Sequence, residues 1–196
     1  MNVSPEGGAE SKNKPATARV FFALWPSHVE AVALAGMANQ AARRYGGRAT
    51  RVDTVHLTLA FIGNVPEVSL PLLCDMATRL KVPPFVLSID RLGFWSHNHL
   101  LWAGCSKTPD ALAALVSELQ QTLVAAGFVV DRAERRFTPH VTLVRKIPVT
   151  TAPSADDPLA KIAPLNWPCS RWVLVRSSLS AAGSSYQVIA EFPLNG

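Results

Sequence analysis

Apolar and polar positions along the chain fall into short runs that name their own elements. RVFFALWP (19–26) is β-branched and aromatic and is stopped by proline, which predicts a strand. HVEAVALAGMANQAARRY (28–45) is rich in alanine and ends at Gly46-Gly47, which predicts a helix opening near His28. VHLTLAFIG (55–63) alternates and reads as a strand, and Leu72, Leu73, Met76 and Leu80 then follow helical spacing. FVLSIDRLGF (85–94) and HLLWAGC (99–105) read as two strands joined by a hairpin turn at WSHN. The best-marked helix comes next: Thr108 as cap, Pro109 at the first helical position, Gly127 as stop, and Leu112, Leu115, Val116, Leu119 and Leu123 as the apolar stripe. HVTLVR (140–145) is a strand, TTAPSADDP (150–158) a polar loop, and RWVLVRSSL (171–179) and YQVIAEFPL (186–194) are closing strands joined through Ala181-Ala182-Gly183.

The order of elements repeats. A strand at 19–25, a helix and the strand carrying His56 form one unit; a strand at 99–105, a helix and the strand carrying His140 form another. Two like halves of this kind would bring their two like strands together about a pseudo-twofold axis.

Those strands share a four-residue pattern, HLTL at 56–59 and HVTL at 140–143. Residues i and i+2 of a strand share a face. His56 and Thr58 therefore point one way, and Leu57 and Leu59 the other, into a core; His140 and Thr142 stand in the same relation to Val141 and Leu143. An imidazole holds or releases a proton near neutral pH, so two facing each other across a cleft suit general acid–base chemistry. Threonine hydroxyls can hydrogen-bond the non-bridging oxygens of a group held between them. A phosphodiester, with one entering and one departing oxygen, fits such a pair. A single His-x-Thr would be unremarkable as a structural histidine; two copies at corresponding places of a repeat point to function.

Charge sharpens this picture. The net charge is +5, and the basic residues gather near the two motifs: Arg43, Arg44, Arg48 and Arg51 before the first, Arg132, Arg135, Arg136, Arg145 and Lys146 around the second. That placement suits an anionic ligand such as phosphate, against the alternative of a solvated basic surface. No Asp, Glu or Cys accompanies the histidines at ligand spacing, so neither metal nor cofactor is expected. Cys74, Cys105 and Cys169 are three and widely spaced, which reads as free thiols in a reducing compartment. With 48% hydrophobic and 17% charged residues the chain can bury a sizeable core, and it has no apolar run near the roughly 20 residues that span a bilayer. Residues 1–18 read as a disordered tail without a signal-peptide pattern, residues 19–196 as one domain of two lobes, and the protein as a cytoplasmic monomer without membrane contact. His97 and His99 read as surface histidines beside the hairpin turn, and Trp25, Phe61 and Phe137 as core aromatics that could alternatively stack on a base.

RVFFALWP, HLTLAFIG, LLWAG, GFVVDRAERRFTPHVTLVR and YQVIAEFPL together resemble the two-histidine phosphoesterases, and within them the RNA 2′,3′-cyclic phosphodiesterases, also called 2′-5′ RNA ligases. The likeness runs from about Arg19 to Leu194, and the form from Phe137 to Arg145 is the more specific part. The resemblance implies an α+β fold of two pseudo-symmetric lobes, each an antiparallel sheet with helices packed outside, and a cleft between them. It implies metal-independent hydrolysis of RNA 2′,3′-cyclic phosphate ends to 2′-phosphomonoesters, and reversible ATP-independent 2′-5′ joining of RNA such as tRNA halves. Carried over, His56 and His140 are the catalytic pair, with His56 as acid toward the 3′-oxygen and His140 as base toward water, and Thr58 and Thr142 bind the phosphate. Arg145 resembles a phosphate contact, yet it lies five positions beyond His140 and a regular strand would turn it to the opposite face; it joins the site only where the strand ends or bulges near Val144. Two other readings stay open: a cyclic phosphodiesterase for a small nucleotide such as ADP-ribose cyclic phosphate, and a non-catalytic RNA-binding module.

Overall fold

The computed structural model describes residues 16–131, 137–154, 161–180 and 183–195. Among the described residues nine strands form one sheet: β1 (Thr17–Leu24), β2 (Arg48–Ala49), β3 (Leu57–Pro66), β4 (Phe85–Trp95), β5 (Leu100–Gly104), β6 (His140–Arg145), β7 (Lys161–Cys169), β8 (Arg171–Ser180) and β9 (Gly183–Pro193). Three helices accompany them: α1 (His28–Tyr45), α2 (Leu70–Arg79) and α3 (Asp110–Ala125). The main order is β7-β4-β5-β6-β3-β1-β8-β9, with β2 paired to β6 off that path. The order is symmetric about its centre. β6 mirrors β3, β5 mirrors β1, β4 mirrors β8 and β7 mirrors β9, so the repeat in the sequence becomes two half-sheets. They join through a single antiparallel pair, Leu57 with Val141.

One face of the sheet carries the main core. Val20, Phe22 and Leu24 of β1, Leu57 and Leu59 of β3, and Val141 and Leu143 of β6 lie in it together with residues from all three helices. The expected α3 stripe is buried in full, each side chain contributing roughly 1.5–3 kcal/mol by leaving water. The alternate residues of β1, Phe21 and Ala23, turn to the other face and pack with Val173 and Val175 of β8 in a second, smaller cluster. Helix α1 opens at His28, where the Ser27 hydroxyl accepts from the Val29 amide at 3.2 Å, and it closes on Gly46 at φ 73°.

Several local expectations are corrected. Helix α3 begins at Asp110, with Pro109 as the boundary residue and no side-chain cap, so Thr108 does not cap it. In α2 the buried residues are Leu73, Met76 and Ala77; Leu72 is 47% exposed because the helix starts at Leu70 and turns it outward. β1 begins at Thr17, inside the stretch expected as tail, whose residues 1–15 lie outside the described residues. Most of the 150–158 loop lies outside them too, beyond a short 3-10 turn at Val149–Thr151. β7 is a strand that apolar patterning misses. It contains Pro164 and Pro168, and it runs at the sheet edge, where a residue lacking an N–H is tolerated.

Trp102 ties the second half-sheet together. It lies across Gly93 of β4, its register partner, and over Gly104. A Cβ on Gly93 would stand 2.1 Å from the Trp102 ring, which is 6% exposed and has nowhere to go. Gly93→Ala is therefore expected to destabilise the protein by about 1–3 kcal/mol through overpacking, read as a lower urea midpoint with an unchanged slope.

Candidate functional site

Leu57 and Val141 pair in antiparallel register. One step to either side, that register sets His56 opposite Thr142 and Thr58 opposite His140. Since Leu57 and Val141 are wholly buried in the core, the four neighbours stand on the opposite face. Two imidazoles and two hydroxyls therefore stand around one bridge. The surface cavities agree: His56 and Thr142 line one, His56 and Thr58 a second, Thr58 and His140 a third, and shared residues run the three into one groove.

Each imidazole is anchored alike. His56 Nδ1 donates to the Thr54 carbonyl at 2.7 Å, and His140 Nδ1 donates to the Thr138 carbonyl at 2.9 Å. A carbonyl only accepts, so the proton of the neutral ring sits on Nδ1 and the lone pair on Nε2. The first anchor depends on the detour between β2 and β3, where a 3-10 turn at Val52–Thr54 presents the Thr54 carbonyl.

Arg145 reaches the groove through a bulge. Between β5 and β6, Leu101 pairs with Val144 but Trp102 with Thr142, so Leu143 is an extra residue on β6. Leu143 and Val144 are both buried, the alternation slips by one, and Arg145 returns to the face of His140 and Thr142. It lines the cavities with His56, and its guanidinium lies 3.5 Å from the Thr142 hydroxyl. The first motif does the same. Between β1 and β3, Phe22 pairs with Ala60 and Ala23 with Thr58, leaving Leu59 extra; Leu59 and Ala60 are buried, and Phe61 returns to the groove. Phe61 and Arg145 are thus corresponding residues of the two halves.

All five sequence-derived site residues line this groove. Of the flanking basic residues, Arg48 and Arg51 also line it, Arg51 tied to Asp53 at 2.9 Å, while Arg43 and Arg44 sit in the last turn of α1. Arg132, Arg135 and Arg136 lie outside the described residues. Reasoning from sequence missed Tyr186 and Ser184 of β9 and Trp95 of β4, which line the groove from strands far away in the chain. It also set aside Trp25 and His97. Trp25 is stacked on His56 with rings 5.5 Å apart and 5° from parallel, and His97 lines the groove beside Trp95. Among the described residues no group of three His, Cys, Asp or Glu side chains converges to hold a metal ion.

Around His56 stand Trp25, Phe21 at 4.9 Å and, edge-to-face, Tyr186 at 5.1 Å. Burial pushes its pKa down to about 4; the Thr54 carbonyl pulls the other way, and the nearby charges of Arg145 and His140 add to the depression. His56 is therefore neutral in the free protein at pH 7.

The groove belongs to a chain with known relatives. Residues 23–180 match the family model described as the 2′-5′ RNA ligase superfamily. The chain belongs to the 2′-5′ RNA ligase superfamily. A curated relative from Escherichia coli (strain K12), an RNA 2′,3′-cyclic phosphodiesterase, is 34% identical over 50% of this chain and 55% of its own. One of the same name from Geobacillus stearothermophilus is 31% identical over 85% of this chain and 56% of its own. The chain thus spans about half the length of these two relatives. The crystal structure of E. coli LigT complexed with 3′-AMP superposes with a TM-score of 0.78 at 24% identity, over 92% of this chain and 100% of that one, and shows the shared fold.

The environment of His56 sets its titration. Its NMR resonances are expected to move with a midpoint near 4, below the ordinary histidine value of about 6.5, and the midpoint is expected to rise when inorganic phosphate binds. The sign for stability follows from linkage. The unfolded chain takes up this proton below about 6.5 and the folded chain does not until about 4, so His56 lowers stability as pH falls across that window. In chemical denaturation, His56→Gln should lose stability less steeply between pH 6.5 and pH 4 than the parent protein.

Proposed function

We propose that the chain is an RNA 2′,3′-cyclic phosphodiesterase that opens the cyclic phosphate to a 2′-phosphomonoester by metal-independent acid–base catalysis. The observation that carries this is the ring of His56, Thr58, His140 and Thr142 around the Leu57–Val141 bridge, on the groove face, with Arg145 turned in beside it. The names of the curated relatives support the substrate class.

The cyclic phosphate sits between the imidazoles, its non-bridging oxygens on the threonine hydroxyls and the Arg145 guanidinium. His140 Nε2 takes the proton of a water as its oxygen bonds to phosphorus. The bond from phosphorus to the 3′-oxygen breaks, and His56 Nε2–H protonates the departing oxygen. With a 5′-hydroxyl group in place of water as the attacking oxygen, the same proton transfers would join RNA ends without ATP, tRNA halves among them, and run backwards they would cleave that bond and restore the cyclic phosphate. His56 must gain a proton to serve as acid. The negative charge of the phosphodiester favours that uptake, and so does the face of Trp25, since an aromatic ring attracts an imidazolium stacked on it. Cys105 and Cys169 are buried and all three cysteines are free thiols, which suits a cytoplasmic protein; no described helix is long and apolar enough to cross a membrane.

His56→Ala and His140→Ala are each expected to lower kcat by about two orders of magnitude or more, with activity retained in EDTA. Phosphorus NMR of a 2′,3′-cyclic-phosphate oligonucleotide checks both turnover and the oxygen that keeps the phosphate. Full activity in either variant would remove the two-histidine mechanism. The kcat/KM profile of the parent protein is expected to carry a limb near pH 4 from His56 in the free protein, which His56→Ala lacks.

A further inference from the structure

The groove is not alike at its two ends. At the His140 end it is walled by Phe61, Trp95 and Phe137, all half-buried, with Gln120 of α3 and Asp131 beside them; Phe61 also lines the His56 cavity, where the Arg19 guanidinium lies 4.9 Å from its ring centre. Gln120 is half-buried, lines this aromatic slot and makes no hydrogen bond among the described residues, which leaves its amide donor and acceptor available. At the His56 end the lining is basic and hydroxylic: Arg48, Arg145, Thr50, Ser184 and Tyr186. Arg51 there is neutralised by Asp53, but Arg48 is exposed and has no acidic partner among the described residues. Its guanidinium is held where β2 meets the start of β9, beside Gly183.

Flat aromatic walls take nucleobases, whose stacking on such rings is worth about 1–3 kcal/mol per base, and an unpaired guanidinium takes phosphate. Resting on the activity proposed above, we propose that Phe61, Trp95 and Phe137 seat the base of the terminal nucleotide with Gln120 at its edge, while Arg48 at the opposite end holds the phosphates that precede it. The enzyme then reads an RNA end in two parts. Its base and cyclic phosphate occupy the slot and the histidines, and the strand leaves over the basic end. A mononucleotide uses the first part alone; a longer RNA uses both.

Steady-state kinetics on a nucleoside 2′,3′-cyclic phosphate and on a pentanucleotide ending in the same group test this. Phe137→Ala should raise KM about tenfold on both substrates, the scale of one lost stacking contact. Gln120→Ala should change the ranking of KM across the four bases. Arg48→Ala should raise KM for the pentanucleotide about tenfold more than for the mononucleotide, and should reduce the salt slope on the pentanucleotide by about one. Gln120 is half-buried and polar, so it decides the base seat should Phe137→Ala fail to fold, a point checked by thermal melting. The proposal is overturned by an Arg48→Ala effect equal on both substrates, or by a base ranking and KM unmoved in Gln120→Ala. If the parent protein turns over neither substrate, the proposed activity fails with it; if it turns over both while these ratios stay fixed, only the two-part reading fails.

Discussion

One backbone pairing governs the rest of the molecule: Leu57 against Val141, the only register pair between β3 and β6 among the described residues. It fuses two half-sheets that would otherwise have separate edges. The two strands part on either side of it, so space opens next to the bridge rather than on it. β6 turns to β2 at its far end, through Arg48 with Arg145 and Ala49 with Val144, and β3 turns to β1. A longer ladder would align more backbone hydrogen bonds but would close the groove. A single bridge is enough because both of its side chains are buried under the helices, and a register slip by one residue would drive the histidines into that core.

The bulges extend the same logic. In a regular strand only every second residue reaches the groove, so HxT would present two groups and then turn away. An extra residue right after each HxT, Leu59 in one half and Leu143 in the other, resets the alternation and returns a third group three positions beyond the threonine. The backbone device is duplicated and the side chain it delivers is not: Phe61 in one half, Arg145 in the other. A twofold frame thereby holds a substrate that has no twofold axis, a phosphate with a base on one side only.

Legibility in the sequence followed the range of the interaction. Helices α1 and α3 and the strands bearing His56 and His140 were readable because their evidence is local: periodicity, Gly and Pro at the ends, and alternation. The inward face of each HxT was readable for the same reason. β7 was not, because its prolines are permitted by an edge position that exists only in the assembled sheet. The place of Arg145 needed the β5–β6 register, since alternation alone puts it on the wrong face. Tyr186 and Trp95 were invisible as site residues because nothing near them in the chain carries chemistry; distant strand pairing brings them to the groove.

The halves differ most where their histidines meet the neighbouring strand. Leu24 pairs with Leu57, so the next residue, Trp25, falls beside His56 and stacks on it. In the other half the residue paired with His140 is Gly104, where a Cβ would come within 2.6 Å of the Pro139 carbonyl and 2.7 Å of the Trp102 ring. No aromatic side chain fits there. His140 instead meets Trp95 edge-to-face, at 4.6 Å and 72°, and Trp95 is braced in turn by Trp102. An imidazole stacked flat on an indole and one set edge-to-face against an indole feel different fields. The first is strongly penalised for charging in the empty groove and gains when an anion arrives. Two copies of one motif are thus made unequal by a single position on the adjacent strand, tryptophan in one half and glycine in the other.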